Sequence, residues 1–369
     1  MAPRPHRSVL ARGALVLAAL APVAGAHAAG PWPTRDGDYI VREFRFQSGE
    51  SLPELRIHYT TLGAPVRDAQ GRVTNAVLVL HGTGGDGRQF LRPQFADELY
   101  GPGQPLDIRH FFVILPDGIG HGQSSRPSEA LHAHFPAYDY DDMVAAQYAL
   151  LTGGLKVEHL RLLMGTSMGC MHAFVWGEAH PGFMDALMPL ACLPVPVAGR
   201  NRMWRRMLIE AIRQDPEWKG GEYSSEPRAA LRTAADLLTL VGAAPLPLQA
   251  AAPTREAADS RTDEAVTALL ASLDANNLLY AVSASRNYDP SAHLEDIVAP
   301  MTWINSADDF INPPELGIAE GEAKRLKHGR FILIPAGLQT HGHGTHTWAA
   351  IWKAQLVALL ERSAPAAGR

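Results

Sequence analysis

The sequence is poor in cysteine, with only Cys170 and Cys192 among its 369 residues. Two cysteines cannot build a disulfide scaffold or a four-cysteine zinc site, so neither class of protein explains how this chain folds. A disulfide between them is compatible with an exported protein, and two buried thiols are compatible with any compartment. The sequence leaves both alternatives open.

The sequence also lacks an excess of basic residues. It has 33 Lys and Arg against 38 Asp and Glu, which gives a formal net charge of −5. This balance provides no electrostatic footprint for nucleic acid or for a polybasic membrane contact, so we expect neither partner. Because 46% of the residues are hydrophobic and 19% are charged, wholesale disorder is excluded and a globular protein is expected.

Long hydrophobic runs are missing as well, since no stretch approaches the roughly 20 apolar residues of a membrane-spanning helix. The longest run, 13–25, follows Arg4, Arg7 and Arg12 and precedes Ala26-His27-Ala28. This order is typical of a secretory signal peptide over residues 1–28, and a membrane-anchored N-terminus is the alternative. We therefore expect an exported protein, periplasmic or secreted, with no stable membrane anchor after cleavage.

Short apolar runs that resemble buried strands alternate with segments of helical spacing, which predicts an α/β fold with a mostly parallel, doubly wound sheet. The predicted strands are 55–62, 73–80, 111–115, 160–164, 186–190, 301–305 and 329–334. The predicted helices include 139–151, 170–176 and 348–362.

Residues 197–289 differ in composition, because alanine, leucine and arginine dominate there and strand-like runs disappear. We interpret this segment as a helical cap inserted between two parts of one α/β core, 29–196 and 290–369. A linker between two separate domains is the alternative, but the strands after 300 are too few for an independent domain.

A glycine-flanked serine gives the strongest functional signal. Gly165-Thr166-Ser167-Met168-Gly169 follows a predicted strand and precedes a predicted helix, the setting of a nucleophile elbow. A serine hydroxyl becomes a good nucleophile only when a base removes its proton, so this motif predicts a histidine and a carboxylate later in the chain.

Both partners are available after the predicted cap. Asp309 follows a strand and stands four residues before Pro313, which favours it over Asp308, interpreted as an exposed loop carboxylate. The sequence His341-Gly342-His343-Gly344-Thr345-His346 contains three candidate bases, and His343 is favoured by its flanking glycines. A metal site made of these histidines is the alternative, although no cysteine accompanies them.

An oxyanion formed at the substrate carbonyl needs two backbone N–H donors, for which we predict Met168 and Thr83. Thr83 lies in the loop His81-Gly82-Thr83-Gly84-Gly85 after a strand. The same loop matches G-x-G-x-x-G, but no acidic residue ends a second strand about 20 residues later, as a dinucleotide site requires. We therefore expect no cofactor.

Four blocks of sequence carry a resemblance to a known family. They are TNAVLVLH at 74–81, GPGQPLD at 101–107, the GTSMG elbow at 165–169 and DPEWKGGEY at 215–223. With these blocks the chain resembles the α/β-hydrolase superfamily and, within it, the homoserine O-acetyltransferase branch. The resemblance implies an α/β-hydrolase fold and places the family's catalytic serine, aspartate and histidine at Ser167, Asp309 and His343.

Two positions depart from that branch. The family aspartate that follows the catalytic histidine and holds the amino group of homoserine is replaced here by Gly344, and the family arginine for the substrate carboxylate falls at Ala235. We therefore expect a serine hydrolase that cleaves an ester or amide of a small-molecule acyl substrate. The alternatives are an O-acyltransferase with the same acyl-enzyme and a non-catalytic binding protein, and the oligomeric state, a homodimer included, stays open.

Overall fold

One eight-stranded sheet organises the protein, and the computed structural model describes it within residues 32–364. The predicted signal peptide, 1–28, lies outside the described residues. The strand order is β1-β2-β4-β3-β5-β6-β7-β8. The strands are β1 (Thr34–Arg45), β2 (Ser51–Leu62), β3 (Ala76–Leu80), β4 (Phe112–Pro116), β5 (Leu162–Thr166), β6 (Leu187–Leu190), β7 (Met301–Ser306) and β8 (Gly329–Ile334).

The central strands pair in parallel from β4 through β8, while β1 and β2 add an antiparallel pair at one edge. The predicted α/β sheet is thus confirmed. Every residue of β3 to β7 is buried, as expected for parallel strands covered on both faces. In β3, Leu78 and Leu80 point into one core cluster and Val77 and Val79 into the other, which is the alternation of a strand.

Helices cover both faces of this sheet. On one face α2 (Tyr140–Ala149) packs against α3 (Met168–Ala179), and on the other α1 (Pro93–Leu99) packs against α10 (Ala349–Arg362). Asp139, predicted as the first residue of a helix, caps α2, because its carboxylate accepts a hydrogen bond from the Asp142 amide.

Strand β1 was missed by the sequence analysis. Its sequence, TRDGDYIVREFR, has a continuous apolar run of only three residues, and most of its residues are at least partly exposed because it lies at the sheet edge. The prediction for β3 also began too early: Val73 makes an isolated bridge with Arg67, and the strand itself begins at Ala76.

Between β6 and β7 the chain forms five helices, which we call the helical insert (residues 199–283). They are α4 (Gly199–Gln214), α5 (Arg228–Gly242), α6 (Pro245–Ala251), α7 (Arg255–Leu270) and α8 (Ala275–Ser283), and a short helix α9 (Ile318–Glu322) follows β7. The insert has its own hydrophobic cluster, which contains Trp204, Leu208 and Leu231 and also Ile311 from the loop after β7. The insert therefore packs onto the carboxyl end of that strand.

None of the helices described here is, on its own, both long and apolar enough to cross a membrane. Two bent pairs, α5 with α6 and α7 with α8, meet the length and composition test only when taken together.

Candidate active site

The elbow between β5 and α3 presents Ser167 in an unusual backbone conformation. Ser167 has φ 55° and ψ −111°, values that L-residues with a side chain rarely adopt. The turn is tight enough that a Cβ on Gly165 would lie 2.0 Å from the Gly169 carbonyl oxygen, and a Cβ on Gly169 would lie 2.1 Å from that of Leu80. Both glycines of the motif are therefore required by the packing around the serine.

The structure brings Ser167, His343 and Asp309 together in one hydrogen-bonded chain. The His343 Nε2 atom lies 2.7 Å from Ser167 Oγ, and its Nδ1 atom lies 2.9 Å from Asp309 Oδ2. With Nδ1–H donating to the carboxylate, Nε2 is the basic nitrogen that faces the serine hydroxyl. These are the three residues that the sequence analysis singled out from separate parts of the chain.

Asp309 is almost completely buried and receives hydrogen bonds on both oxygens. Its Oδ1 accepts from the backbone amides of Ile311 (2.7 Å) and Asn312 (3.2 Å), and its Oδ2 accepts from Asn312 Nδ2 (2.9 Å) as well as from His343. Burial by itself raises the pKa of Asp309, but the neighbouring His343 and these donors outweigh it, so the pKa is lowered. The carboxylate is therefore held ionised beside the imidazole.

Asp308, which we expected to be an exposed loop carboxylate, is half-buried and bonded. Its Oδ2 accepts hydrogen bonds from Thr340 Oγ1 (2.6 Å) and from the Gly342 amide (3.2 Å). The expectation was wrong because sequence alone does not show that the loop carrying His343 folds back onto the loop after β7. Asp308 therefore joins these two loops.

The two other candidate histidines take different positions. His341 stacks on Trp348 with 3.9 Å between ring centres. The ring of His346 lies 5.2 Å from that of His343, and burial, followed by repulsion from His343, lowers the pKa of His346 to about 3. His346 is therefore neutral at ordinary pH. Within residues 32–364, no cluster of three or more His, Cys, Asp or Glu side chains is arranged to hold a metal ion.

The loop after β3 lies against the serine. A Cβ on Gly82 would come within 3.1 Å of Ser167 Cβ, which places the backbone of this loop directly beside Ser167. In the part of the chain that the structure describes, neither the Thr83 amide nor the Met168 amide donates a hydrogen bond to another protein group. Both predicted oxyanion donors are thus left free, and Met168 is the first residue of α3, where the helix dipole favours negative charge.

Two histidines that the sequence analysis left without a role hold this loop in place. His81 Nε2 accepts the Gly118 amide at 2.9 Å, so its Nδ1 carries the proton and donates to the Gly82 carbonyl at 2.8 Å. His121 Nε2 lies 3.1 Å from the Thr83 carbonyl oxygen. Burial, together with the neighbouring His81, lowers the pKa of His121 to about 4.

Cys170 and Cys192 form a disulfide, which decides between the two alternatives left open by the sequence. The bond ties the first turn of α3 to the chain just after β6. The Cys192 carbonyl oxygen accepts hydrogen bonds from Trp303 Nε1 and Asn305 Nδ2, both at 3.1 Å. The disulfide thus links the helix that follows Ser167 to the strand that precedes Asp309.

A cavity of about 850 Å³ adjoins this site. It lies between the segment after β6, the loop after β7 and the end of α5, and its lining includes Asp309 and Met171 but neither Ser167 nor His343.

Comparisons with known proteins agree with this architecture. A family model described as alpha/beta hydrolase fold matches residues 75–338. A probable acyltransferase of Methanothermobacter thermautotrophicus is 32% identical over 279 residues, which cover 75% of this chain and 84% of that protein. A homoserine O-acetyltransferase of Moorella thermoacetica is 33% identical over 209 residues, about half of each chain (51% and 53%).

Solved structures give the same fold. An acetylester hydrolase from Corynebacterium glutamicum has a TM-score of 0.77 at 21% identity and covers 89% of this chain and 96% of its own. The acetyl esterase MekB has a TM-score of 0.75 at 25% identity, with 90% and 97% covered. Esterases and acyltransferases are thus both among the proteins that this chain is similar to.

Proposed function

The chain belongs to the α/β-hydrolase fold family, and on this basis we propose that it is a serine hydrolase that cleaves an ester or amide through Ser167, His343 and Asp309. The observation that carries the proposal is the unbroken hydrogen-bonded chain from Ser167 Oγ through the imidazole of His343 to the buried carboxylate of Asp309. Such a chain has the geometry of a nucleophile, its base and the group that orients the base.

In the proposed reaction, His343 Nε2 takes the proton of Ser167 as Oγ attacks the substrate carbonyl. Asp309 keeps the proton of the imidazole on Nδ1 and stabilises the imidazolium that forms. The amides of Thr83 and Met168 bind the oxyanion of the tetrahedral intermediate. His343 then gives its proton to the leaving group, and a water molecule, activated in the same way, releases the acyl group from Ser167.

Transfer of the acyl group to an alcohol instead of water is the second candidate, favoured by the acyltransferases among the relatives. Two positions argue against homoserine as that alcohol. Gly344, directly after His343, bears no charge, and Ala235 is fully buried on α5. Neither position provides the ionic contacts that the resemblance to homoserine O-acetyltransferases implies for a zwitterionic amino acid.

We also propose that the protein is exported. The order of residues 1–28 supports this, and so does the disulfide, because disulfides persist in the periplasm and outside the cell but are rare in the cytosol.

The proposed function is tested with p-nitrophenyl acetate. Turnover is expected for the wild type, a loss of at least 10³-fold for Ser167→Ala, and no change for Ser260→Ala, a control at an exposed serine on α7. A fluorophosphonate probe should label Ser167 in the wild type only. A wild-type protein that turns over no ester and takes no label would refute the proposal.

Hydrolysis and transfer are separated by adding alcohols at a fixed ester concentration. Hydrolysis predicts free acid as the product at all alcohol concentrations. An acyltransferase predicts a new ester whose rate of formation saturates with the alcohol, and acetyl-CoA consumption that requires the alcohol.

A further inference from the structure

The cavity beside Asp309 has the size and the walls of a small-molecule site. Its volume of about 850 Å³ lies in the range of ligand pockets, roughly 300–1,000 Å³. Apolar side chains from three parts of the chain dominate its lining. They include Leu193, Val195 and Val197 after β6, Leu240 on α5, and Leu316 and Ile318 after β7.

The cavity touches the chain close to each of the three reacting groups. Met171 follows Ser167 by four residues, and its amide donates a hydrogen bond to the Ser167 carbonyl oxygen at 3.1 Å. Asp309 itself is part of the lining. Ala243, another lining residue, packs against the glycine before His343, since a Cβ on Gly342 would lie 3.1 Å from its carbonyl oxygen. The cavity therefore lies beside the elements that carry all three of these groups.

One polar group in the lining has a fixed orientation. The Asn201 Oδ1 atom accepts hydrogen bonds from Arg205 Nε (2.9 Å) and Trp204 Nε1 (3.1 Å). Both partners can only donate, so the oxygen must face them and the Nδ2 group must face away. Arg205 is only 3% exposed and is further held by Ser285 Oγ, so it keeps this arrangement rigid. Among the described residues, no hydrogen-bond partner of Asn201 Nδ2 is found.

The charges around the cavity disfavour an anionic ligand. Arg200 is the basic residue in the described lining, and it is already engaged: its guanidinium lies 3.9 Å from the ring centre of Phe310 and donates to the Phe310 carbonyl. The acidic residues of the lining, Asp308, Asp309 and Glu315, would repel an anion.

We infer that this cavity binds the part of the substrate remote from the scissile bond, a chiefly apolar group that carries no negative charge and has a hydrogen-bond acceptor that Asn201 Nδ2 holds. This inference rests on the proposed function and names the class of its substrate. The group belongs to the acyl chain or to the alcohol of an ester, and the experiment distinguishes the two.

The first measurement compares two ester series: p-nitrophenyl esters from acetate to octanoate, and acetates of alcohols from ethanol to octanol. In the series whose chain enters the cavity, kcat/KM is expected to rise about three- to fourfold per methylene group. Replacing Leu240 or Leu316, both more than half exposed, by aspartate should flatten that rise. The matched control is Leu248→Asp, at an exposed leucine outside the lining. A flat response in both series overturns the inference.

The second measurement tests Asn201. In Asn201→Asp, an oxygen still accepts from Arg205 and Trp204, but the donor to the ligand is lost. Esters with a keto group in the responding chain should lose about three- to tenfold in kcat/KM, while hydrocarbon esters of equal length should not. An equal effect on both kinds of ester contradicts the assigned role of Asn201.

Binding to the Ser167→Ala protein separates failure of this inference from failure of the proposed function. Methyl ketones from 2-butanone to 2-decanone serve as probes, because they bind without being cleaved. The inference is supported if affinity rises with chain length and is weaker in the double variant Ser167→Ala/Leu240→Asp, even if no ester is hydrolysed. Affinity independent of chain length overturns it, even if Ser167-dependent hydrolysis of p-nitrophenyl acetate is found.

Discussion

Replacing Asp309 by asparagine is the sharpest test of the proposed catalytic geometry. All four hydrogen bonds to the carboxylate come from donors: the amides of Ile311 and Asn312, the side chain of Asn312, and His343 Nδ1. An asparagine replaces one of the two carboxylate oxygens by an NH₂ group, which can only donate. This NH₂ group must therefore face a group that is itself a donor. If it faces His343, the imidazole is left in the wrong tautomer, with its proton on the nitrogen that should receive the serine proton.

The expected loss of activity follows from the removal of the negative charge and from the change of the His343 tautomer. In a Ser-His-Asp triad the Asp→Asn change costs about 10⁴-fold in kcat, which corresponds to about 5.5 kcal/mol of activation free energy. One unsatisfied donor at a 2% exposed position should also lower the free energy of unfolding by about 1–3 kcal/mol. The loss of activity should therefore far exceed any effect of partial unfolding at room temperature.

Asp308→Asn is the matched control, because it makes the same chemical change one residue away. The asparagine oxygen can still accept from Thr340 and Gly342, and its NH₂ group can donate to Ser306 Oγ, so we expect less than a tenfold loss. Initial rates with p-nitrophenyl acetate at pH 8, together with urea unfolding curves, give both quantities. The reasoning is refuted if Asp309→Asn keeps more than a tenth of the wild-type kcat, or if Asp308→Asn falls as far as Asp309→Asn.

Three further predictions follow from the same contacts. With p-nitrophenyl acetate, His343→Gln should lose at least 10³-fold in kcat, whereas His346→Gln should lose less than tenfold. A larger loss in His346→Gln than in His343→Gln would exclude His343 as the base. His346 is neutral in the folded protein down to pH about 3 but takes up a proton below about pH 6.5 when unfolded, so lowering the pH through this window should lower the free energy of unfolding by up to about 1.4 kcal/mol per pH unit. Urea unfolding of His346→Gln should show a shallower dependence on pH. A slope equal to that of the wild type would contradict the burial of His346. Changing both Cys170 and Cys192 to serine should lower the free energy of unfolding by about 3 kcal/mol, because the disulfide closes a loop between residues 22 positions apart. A urea midpoint equal to that of the wild type would show that the disulfide does not form.

The central sheet could be predicted because its strands are buried on both faces, so that their sequences read as continuous apolar runs. Strand β1 could not, since it lies at the edge and its charged residues face solvent. The arrangement of α4 to α8 was also beyond prediction, because helical spacing shows which face of a helix is apolar but not which neighbour it packs against.

The elbow at Ser167 was predictable from its glycines, since their spacing reflects close backbone contacts within a few residues. Asp309 was chosen for its position after a strand and its spacing to Pro313, and His343 for its flanking glycines. The structure places His343 between Asp309 and Ser167, although their catalytic roles stay a prediction. Contacts between distant loops were invisible in the sequence, which is why Asp308 was misjudged and Asn312 and His121 were overlooked. The cavity was equally hidden, because its walls come from three segments that meet only in the folded protein.

The hydrogen bonds from Thr340 and Gly342 to Asp308 have a thermodynamic consequence for the enzyme. They join the loop that carries His343 to the loop after β7, and the second of these loops also forms a wall of the cavity. A ligand that prefers one position of that wall would, through these bonds, also bias the position of the imidazole. We therefore expect occupancy of the proposed ligand site to be coupled to the position of the His343 ring relative to Ser167.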